Sequence, residues 1–256
     1  MLSRNFRLQR VGDLKWLQSN YDFSRIAFFI DELIVLDVSK GEKDLDRFCD
    51  TLKQLTAGCF APIAAGGGVR SINDARMLLH SGADKIVINT PLFSDQQLVE
   101  DLAKEFGEQC LVGSVDVIKT RDSDYAVVTE SGNSQLPESA SNSLLALVSQ
   151  PIGEIYLNSI DQDGTGQGYD LSVLSLLPEI CPIPIILAGG VGNAKHLAVG
   201  FLDDRVDAVA TANLFNFVGD GLQRARELLV SDGCSLATWP PSNGLLLNLN
   251  SDDPRS

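Results

Sequence analysis

Three features of the sequence predict an α/β protein, a (β/α)8 TIM barrel with a half-barrel internal repeat whose first strand is missing or atypical. Short apolar runs alternate with helical stretches along the chain, the form that repeated strand–helix units take in sequence. Most runs are continuous in Val, Ile, Leu and Ala rather than alternating with polar residues, as parallel strands covered on both faces require. The third feature is that the first half of the pattern returns in the second.

The repeat decides between a barrel and an open doubly wound sheet. Pro62-Ile-Ala-Ala-Gly-Gly-Gly-Val69, a helical stretch, and Gly82-Ala-Asp-Lys-Ile-Val-Ile-Asn89 correspond to Pro184-Ile-Ile-Leu-Ala-Gly-Gly-Val191, a helical stretch, and Val206-Asp-Ala-Val-Ala-Thr-Ala212. The preceding strands also match, Asp31-Glu-Leu-Ile-Val-Leu36 against Gly153-Glu-Ile-Tyr-Leu-Asn158. The offset of about 120 residues is half of a typical eight-stranded barrel chain. Two such halves close a ring, whereas an open sheet has no need of them.

In chain order, residues 1–30 offer only Phe6-Arg-Leu-Gln-Arg10, too polar for the interior of a parallel barrel. Strands are expected at 32–38, 62–65, 84–89, 111–117, 154–159, 184–188 and 207–212, and helices at 43–55, 71–80, 95–106, 141–150, 171–180, 193–202 and 218–230. Ser71 stands three residues before Asp74, the spacing of a capping box with Asp in place of Glu. The second half therefore has four strands and the first only three, so either the segment 6–10 fills the gap poorly or the chain begins after the first strand of its barrel, the second being the expectation. A ring lacking one strand leaves two unpaired edges. The expected organisation is one barrel domain over 1–230, with halves at about 31–110 and 111–230, and an irregular tail at 231–256. That tail is rich in Pro, Ser, Asn and Asp, with Leu245-Leu-Leu247 docking weakly.

Bulk composition excludes several function classes. With 256 residues, 44% apolar and 21% charged, the chain has an ordinary globular balance. Its longest apolar run, about residues 25–37, is interrupted by Asp31 and Glu32, so no transmembrane helix is expected. Nor does the N-terminus carry an apolar signal core, and the cytoplasm is the expected location. A net charge of −14 argues against nucleic acid as a partner. Cys49, Cys59, Cys110, Cys181 and Cys234 are scattered with no Cys-x-x-Cys pair, reading as reduced thiols. Only His80 and His196 are present, both in helical patterns, and they read as surface or capping histidines. No metal or cofactor is expected.

In such a barrel, chemistry lies at the C-terminal ends of the strands. Gly66-Gly-Gly68 and Gly189-Gly190 each follow a strand and precede a helix, letting main-chain N–H groups approach an anion. Two such loops at symmetric positions suggest two phosphate sites and a substrate phosphorylated at both ends. Asp161-Gln-Asp163-Gly164-Thr165 follows another strand. There Gly164 is expected to donate its N–H to the second phosphate while the Asp163 side chain points elsewhere. Asp161 and Asp163 either shape the loop through Asx turns or face the reacting centre. Asp116, at the end of Leu111-Val-Gly-Ser-Val-Asp116, is the best acid–base candidate. Its partner is expected on the strand that is not found, with Asp37 as a weaker substitute.

These residues resemble the cyclase subunit of imidazole glycerol phosphate synthase, over residues 31–217. The resemblance is carried by Asp31-Glu-Leu-Ile-Val-Leu-Asp37, Gly66-Gly-Gly-Val69, Gly82-Ala-Asp-Lys-Ile-Val-Ile-Asn-Thr90, and Asn158-Ser-Ile-Asp-Gln-Asp-Gly-Thr165 with Gly168-Tyr-Asp170. It implies a lyase-type barrel of histidine biosynthesis that takes ammonia from a glutaminase (amidotransferase) subunit in a heterodimer and uses it on a bis-phosphorylated ribulosyl substrate. It also implies that Asp116 is one of two catalytic aspartates and that Gly68, Asn89 and Thr90 hold one phosphate. Asp163, Gly164, Gly190, Ala212 and Asn213 would hold the other, Asn213 standing where the family has serine. Glu32, Lys85 and Glu154 match charged residues at the ammonia entrance. The first strand, with the other aspartate, a substrate-binding lysine and a fourth entrance residue, has no counterpart. The N-terminal region looks closer to paralogues of surface-polysaccharide clusters, which leaves two alternatives: a paralogue delivering ammonia to a nucleotide sugar, or an inactive barrel that activates its glutaminase.

Overall fold

A computed structural model describes residues 14–20, 26–39, 41–122, 124–212 and 220–237. Seven parallel strands form a curled sheet: β1 (Leu33–Leu36), β2 (Ile63–Gly66), β3 (Lys85–Ile88), β4 (Leu111–Lys119), β7 (Glu154–Ser159), β8 (Ile185–Ala188) and β9 (Ala208–Val209). They lie side by side in that order, each parallel to the next. These are the seven strands read from the sequence, and the α/β barrel class holds. Among the described residues β1 and β9 are the two edges. The polar segment 6–10 lies outside them, as do Asn213 and the leucines at 245–247.

The strands alternate between two apolar layers. Ile63, Ile86, Leu111, Ile155 and Ile185 belong to the large outer core beneath the helices. Their neighbours Ala64, Val87 and Val112 pack with Ile34, Leu36, Tyr156 and Ile186 inside the curl. A strand buried on both faces leaves no place for polar alternation, which explains the continuous apolar runs.

Helices α1 (Leu14–Asn20), α2 (Leu45–Thr56), α3 (Ile72–His80), α4 (Pro91–Ser94), α5 (Gln96–Phe106), α6 (Ala140–Leu147), α7 (Ala194–Gly200) and α8 (Gly221–Ser231) accompany the sheet. Five of them open with a side-chain cap, from Asp44, Ser71, Asp95, Ser139 and Asn193, each worth about 1 kcal/mol. At Ser71 the hydroxyl accepts from Asp74 N, while the Asp74 carboxylate reaches back to Arg70 N rather than to Ser71. His196 Nδ1 accepts from Gly192 N ahead of α7. The helix expected at 171–180 is instead a short 3₁₀ helix, Leu171–Leu176, ending where Leu177 turns extended before Pro178; proline disfavours the helical conformation in the residue before it.

One feature was not anticipated. β4 runs past residue 117 to Lys119 and folds back as β5 (Tyr125–Thr129), which pairs antiparallel with it, followed by β6 (Ser134–Gln135). Across the seam between the two edges, Arg226 of α8 clasps both carboxylate oxygens of Asp31, just before β1, at 3.0 and 2.9 Å. It also donates to Ala237 O. Among the described residues no helix is long and apolar enough to cross a membrane.

Candidate active site

Alternation along the strands sorts the site residues by height. On β7, Glu154, Tyr156 and Asn158 share the inner face; on β4, Val112, Ser114 and Asp116 do; on β3, Lys85 and Val87 do, with Asn89 just beyond the strand. Gly68, Asn89, Thr90, Asp116, Asp163, Gly164, Gly190 and Ala212 therefore all fall at the C-terminal ends, and Glu32, Lys85 and Glu154 at the N-terminal ends. One open cavity of about 2000 Å³ reaches from Gly68, Asn89 and Asp163 at the mouth down to Glu32 and Glu154. It is larger than an ordinary ligand pocket of roughly 300–1,000 Å³ because it also runs into the seam between β1 and β9.

Asp116 lies on the central strand, directly in register with Asn158 of β7. Asn158 Nδ2 donates to its Oδ1 at 2.8 Å, and Asn89 Nδ2 donates to its Oδ2 at 3.2 Å. Burial pushes the carboxyl up to about 6; the Asn158 hydrogen bond opposes this and the nearby Asp163 carboxylate adds to it. A carboxyl poised there exchanges protons near neutral pH. Asn158 was quoted in the sequence motif but given no role, although its two-residue offset from Tyr156 and four-residue offset from Glu154 place it on the same face.

The phosphate candidates differ in what they have to offer. Gly190 has φ +100°, and a Cβ there would lie 2.0 Å from Gly168 O, while Gly168 N donates to Gly190 O at 2.7 Å. Glycine is thus required for the loops after β7 and β8 to meet. Gly68, at φ +107°, stands against the Lys43 stem, 2.9 Å from a would-be Cβ. Lys43 is a cation that sequence reading passed over: its Nζ bonds Asp37 O and Ser39 O, both at 2.8 Å, and pairs with the Asp37 carboxylate at 3.7 Å. Asp37 is therefore engaged by Lys43 at the mouth. The Asn89 amide is committed to Asp116 and to Ser114 O, which leaves its main chain for an anion. Thr90 Oγ1 accepts from Glu130 N of the hairpin at 3.3 Å.

The acidic loop separates its two aspartates. Asp161 Oδ2 accepts from Lys119 N at 2.6 Å, pinning the end of β4, whereas Asp163 lines the cavity. Asp170 receives Tyr125 OH at 2.6 Å and Lys119 Nζ at 3.0 Å. Burial raises its carboxyl, but these bonds and Ser172 N outweigh burial and hold it below the usual range. With Tyr169 OH on Ala210 O, the Gly168-Tyr-Asp170 signature ties the hairpin, the acidic loop and β9 together.

At the opposite end one cation serves two anions. Lys85 Nζ lies 2.6 Å from Glu32 Oε2 and 2.7 Å from Glu154 Oε1. Burial works against the lysine's charge, yet its two carboxylate partners hold it above its ordinary value. Burial also raises Glu32, with Glu154 adding to it, beyond what Lys85 lowers. Glu32 Oε1 and Glu154 Oε2 are buried with no hydrogen-bond partner among the described residues.

Comparison with known proteins identifies the family. The family described as "Histidine biosynthesis protein" matches residues 25–219. The chain belongs to that family. Within it, a protein of Parasynechococcus marenigrum (strain WH8102) named "Putative imidazole glycerol phosphate synthase subunit hisF2" is 44% identical over 240 residues, covering 93% of this chain and 89% of that protein. The relationship spans both halves of the repeat and both ends of the barrel.

Proposed function

We propose that this chain is the ammonia-using cyclase subunit of an imidazole glycerol phosphate synthase, working in the cytoplasm beside a glutaminase. The observation that carries the reading is the placing of a charged ring and a proton-exchanging carboxyl at opposite ends of one barrel interior. Ammonia released by the partner enters past Glu32, Lys85 and Glu154, whose two spare carboxylate oxygens are acceptors for its N–H groups. A charged ring half-sunk in a barrel is costly, and passage of a polar molecule gives it a purpose.

At the mouth, Gly68 with the main chain at Asn89 and Thr90 binds one phosphate of the ribulosyl substrate. Gly164, Gly190 and Ala212 bind the other, together with Asn213, which lies outside the described residues. Asp116 lies between, on β4, and exchanges protons with the nitrogen as the ring closes, Asn89 and Asn158 fixing its orientation. The partner docks at the N-terminal end, where Phe60 is 83% exposed and Ile180 87% exposed, in the turns leading to β2 and β8.

The test is turnover of the ribulosyl substrate by the purified protein with ammonium chloride as nitrogen source. Turnover is expected, and Asp116→Asn is expected to lower kcat by about 10²–10⁴, the range of a general acid–base. A folded wild-type protein that leaves this substrate untouched would assign the ammonia to another acceptor or leave the barrel as an inactive activator of its glutaminase. Turnover unaffected by Asp116→Asn would remove Asp116 from the mechanism.

A further inference from the structure

Between the charged ring and Asp116 the inner wall is apolar, built from Ile34, Ala64, Val87, Val112 and Ile186, with Tyr156 interrupting it. Tyr156 sits on the same face of β7 as Glu154 below and Asn158 above, in register with Ser114 of β4 and Ile186 of β8. A strand rises about 3.3 Å per residue, so Glu154 and Asn158 stand roughly 13 Å apart with Tyr156 midway. Its side chain lines the cavity, and no described residue hydrogen-bonds its hydroxyl. A phenol in such a wall ordinarily takes a partner.

We infer that Tyr156 is a positioning residue of the internal passage: its hydroxyl is the hydrogen-bonding station for ammonia between the Glu32–Lys85–Glu154 ring and Asp116, and its ring sets the bore. The inference rests on the reading of the barrel as an ammonia-using subunit. Without a polar station, a molecule leaving the ring must cross an apolar stretch with its own hydrogen bonds unmade, at a cost that a single acceptor and donor midway reduces. The Ser114 side chain, on the neighbouring strand at the same height, is the only other polar side chain at this level among the residues in register with Tyr156.

The experiment compares two nitrogen sources in the complex with glutaminase. Glutamine delivers ammonia through the interior, whereas ammonium chloride supplies it from solvent at the open mouth. For Tyr156→Phe, the ratio of glutamine-fed to ammonium-fed turnover is expected to fall roughly fivefold, the factor carried by one ordinary hydrogen bond, with more glutamine hydrolysed per product. Tyr156→Trp, which narrows the bore, is expected to lower the ratio further. An unchanged ratio in both variants, or an equal fall with both nitrogen sources, overturns the passage role, since the second outcome places Tyr156 in packing or at the reacting centre. Wild-type complex that makes no product from either source overturns the ammonia reading itself, and this inference with it.

Discussion

With its carboxyl pushed up to about 6 by burial, Asp116 binds a proton more tightly in the folded protein than in the unfolded chain, where an aspartate titrates near about 3.9. The stability contributed by this group is therefore fully present below pH ~4 and is lost as pH rises through ~6. At neutral pH the folded protein carries an unfavourable charge, on the order of 3 kcal/mol. Asp116→Asn removes the titration, although its amide must find new partners at Asn89 and Asn158, so the absolute change depends on how those side chains turn. The pH dependence does not. The melting temperature of the variant relative to wild type is expected to improve by about 4 °C or more between pH 4 and pH 7.5. A difference that stays flat across that range would mean that the carboxyl is not raised. Asp116 was legible in the sequence because an acid closes an apolar run there. Asn158 and Tyr156 were not singled out, because an amide or a phenol inside a strand gives no signal until strand direction and inner face are known.

Among the elements, most of the longer helices and the parallel strands were legible because caps and apolar runs are local signals, whereas the short helices Leu14–Asn20 and Pro91–Ser94 were not, and the expected helix at 171–180 is a 3₁₀ helix. The β5–β6 hairpin was not, because it depends on β4 continuing past Asp116 and turning back on itself. Its turn is strained: Glu130 and Ser131 have φ of 53° and 58°, and Gly132 follows at 83°. Two consecutive non-glycine residues in the left-handed region cost of order 1 kcal/mol or more each, and the turn is held by Glu130 N on Thr90 Oγ1 and by Asn133 Nδ2 on Glu130 O at 2.7 Å. Ser131→Gly is expected to raise the melting temperature by about 1–3 °C, relief of strain exceeding the extra unfolded-state entropy of glycine. The side chain is exposed, so no packing is lost. A lower melting temperature would show that the backbone at 131 carries no strain.

At the scale of the whole molecule, the 62–69 and 184–191 repeat made the ring legible, whereas the contacts that join distant parts of it were not. The Arg226–Asp31 pair spans 195 residues, and no local pattern marks it. Lys85 joins the halves more deeply, binding Glu32 of the first and Glu154 of the second. Charge matching here is collective: remove the cation and two half-buried carboxylates face each other. Lys85→Met is expected to cost about 2 kcal/mol in urea unfolding at pH 7.5, less than a fully buried pair because about a quarter of each side chain still meets water. Adding Glu32→Gln and Glu154→Gln is expected to recover most of that loss, since the penalty lies in the orphaned charges rather than in lost attraction. The single variant should also regain stability as pH falls and Glu32, already raised by burial, takes up its proton. Should the triple variant prove no more stable than Lys85→Met, the ring would be holding the two halves together by packing of the lysine stem, and its charges would have to be explained by what passes between them.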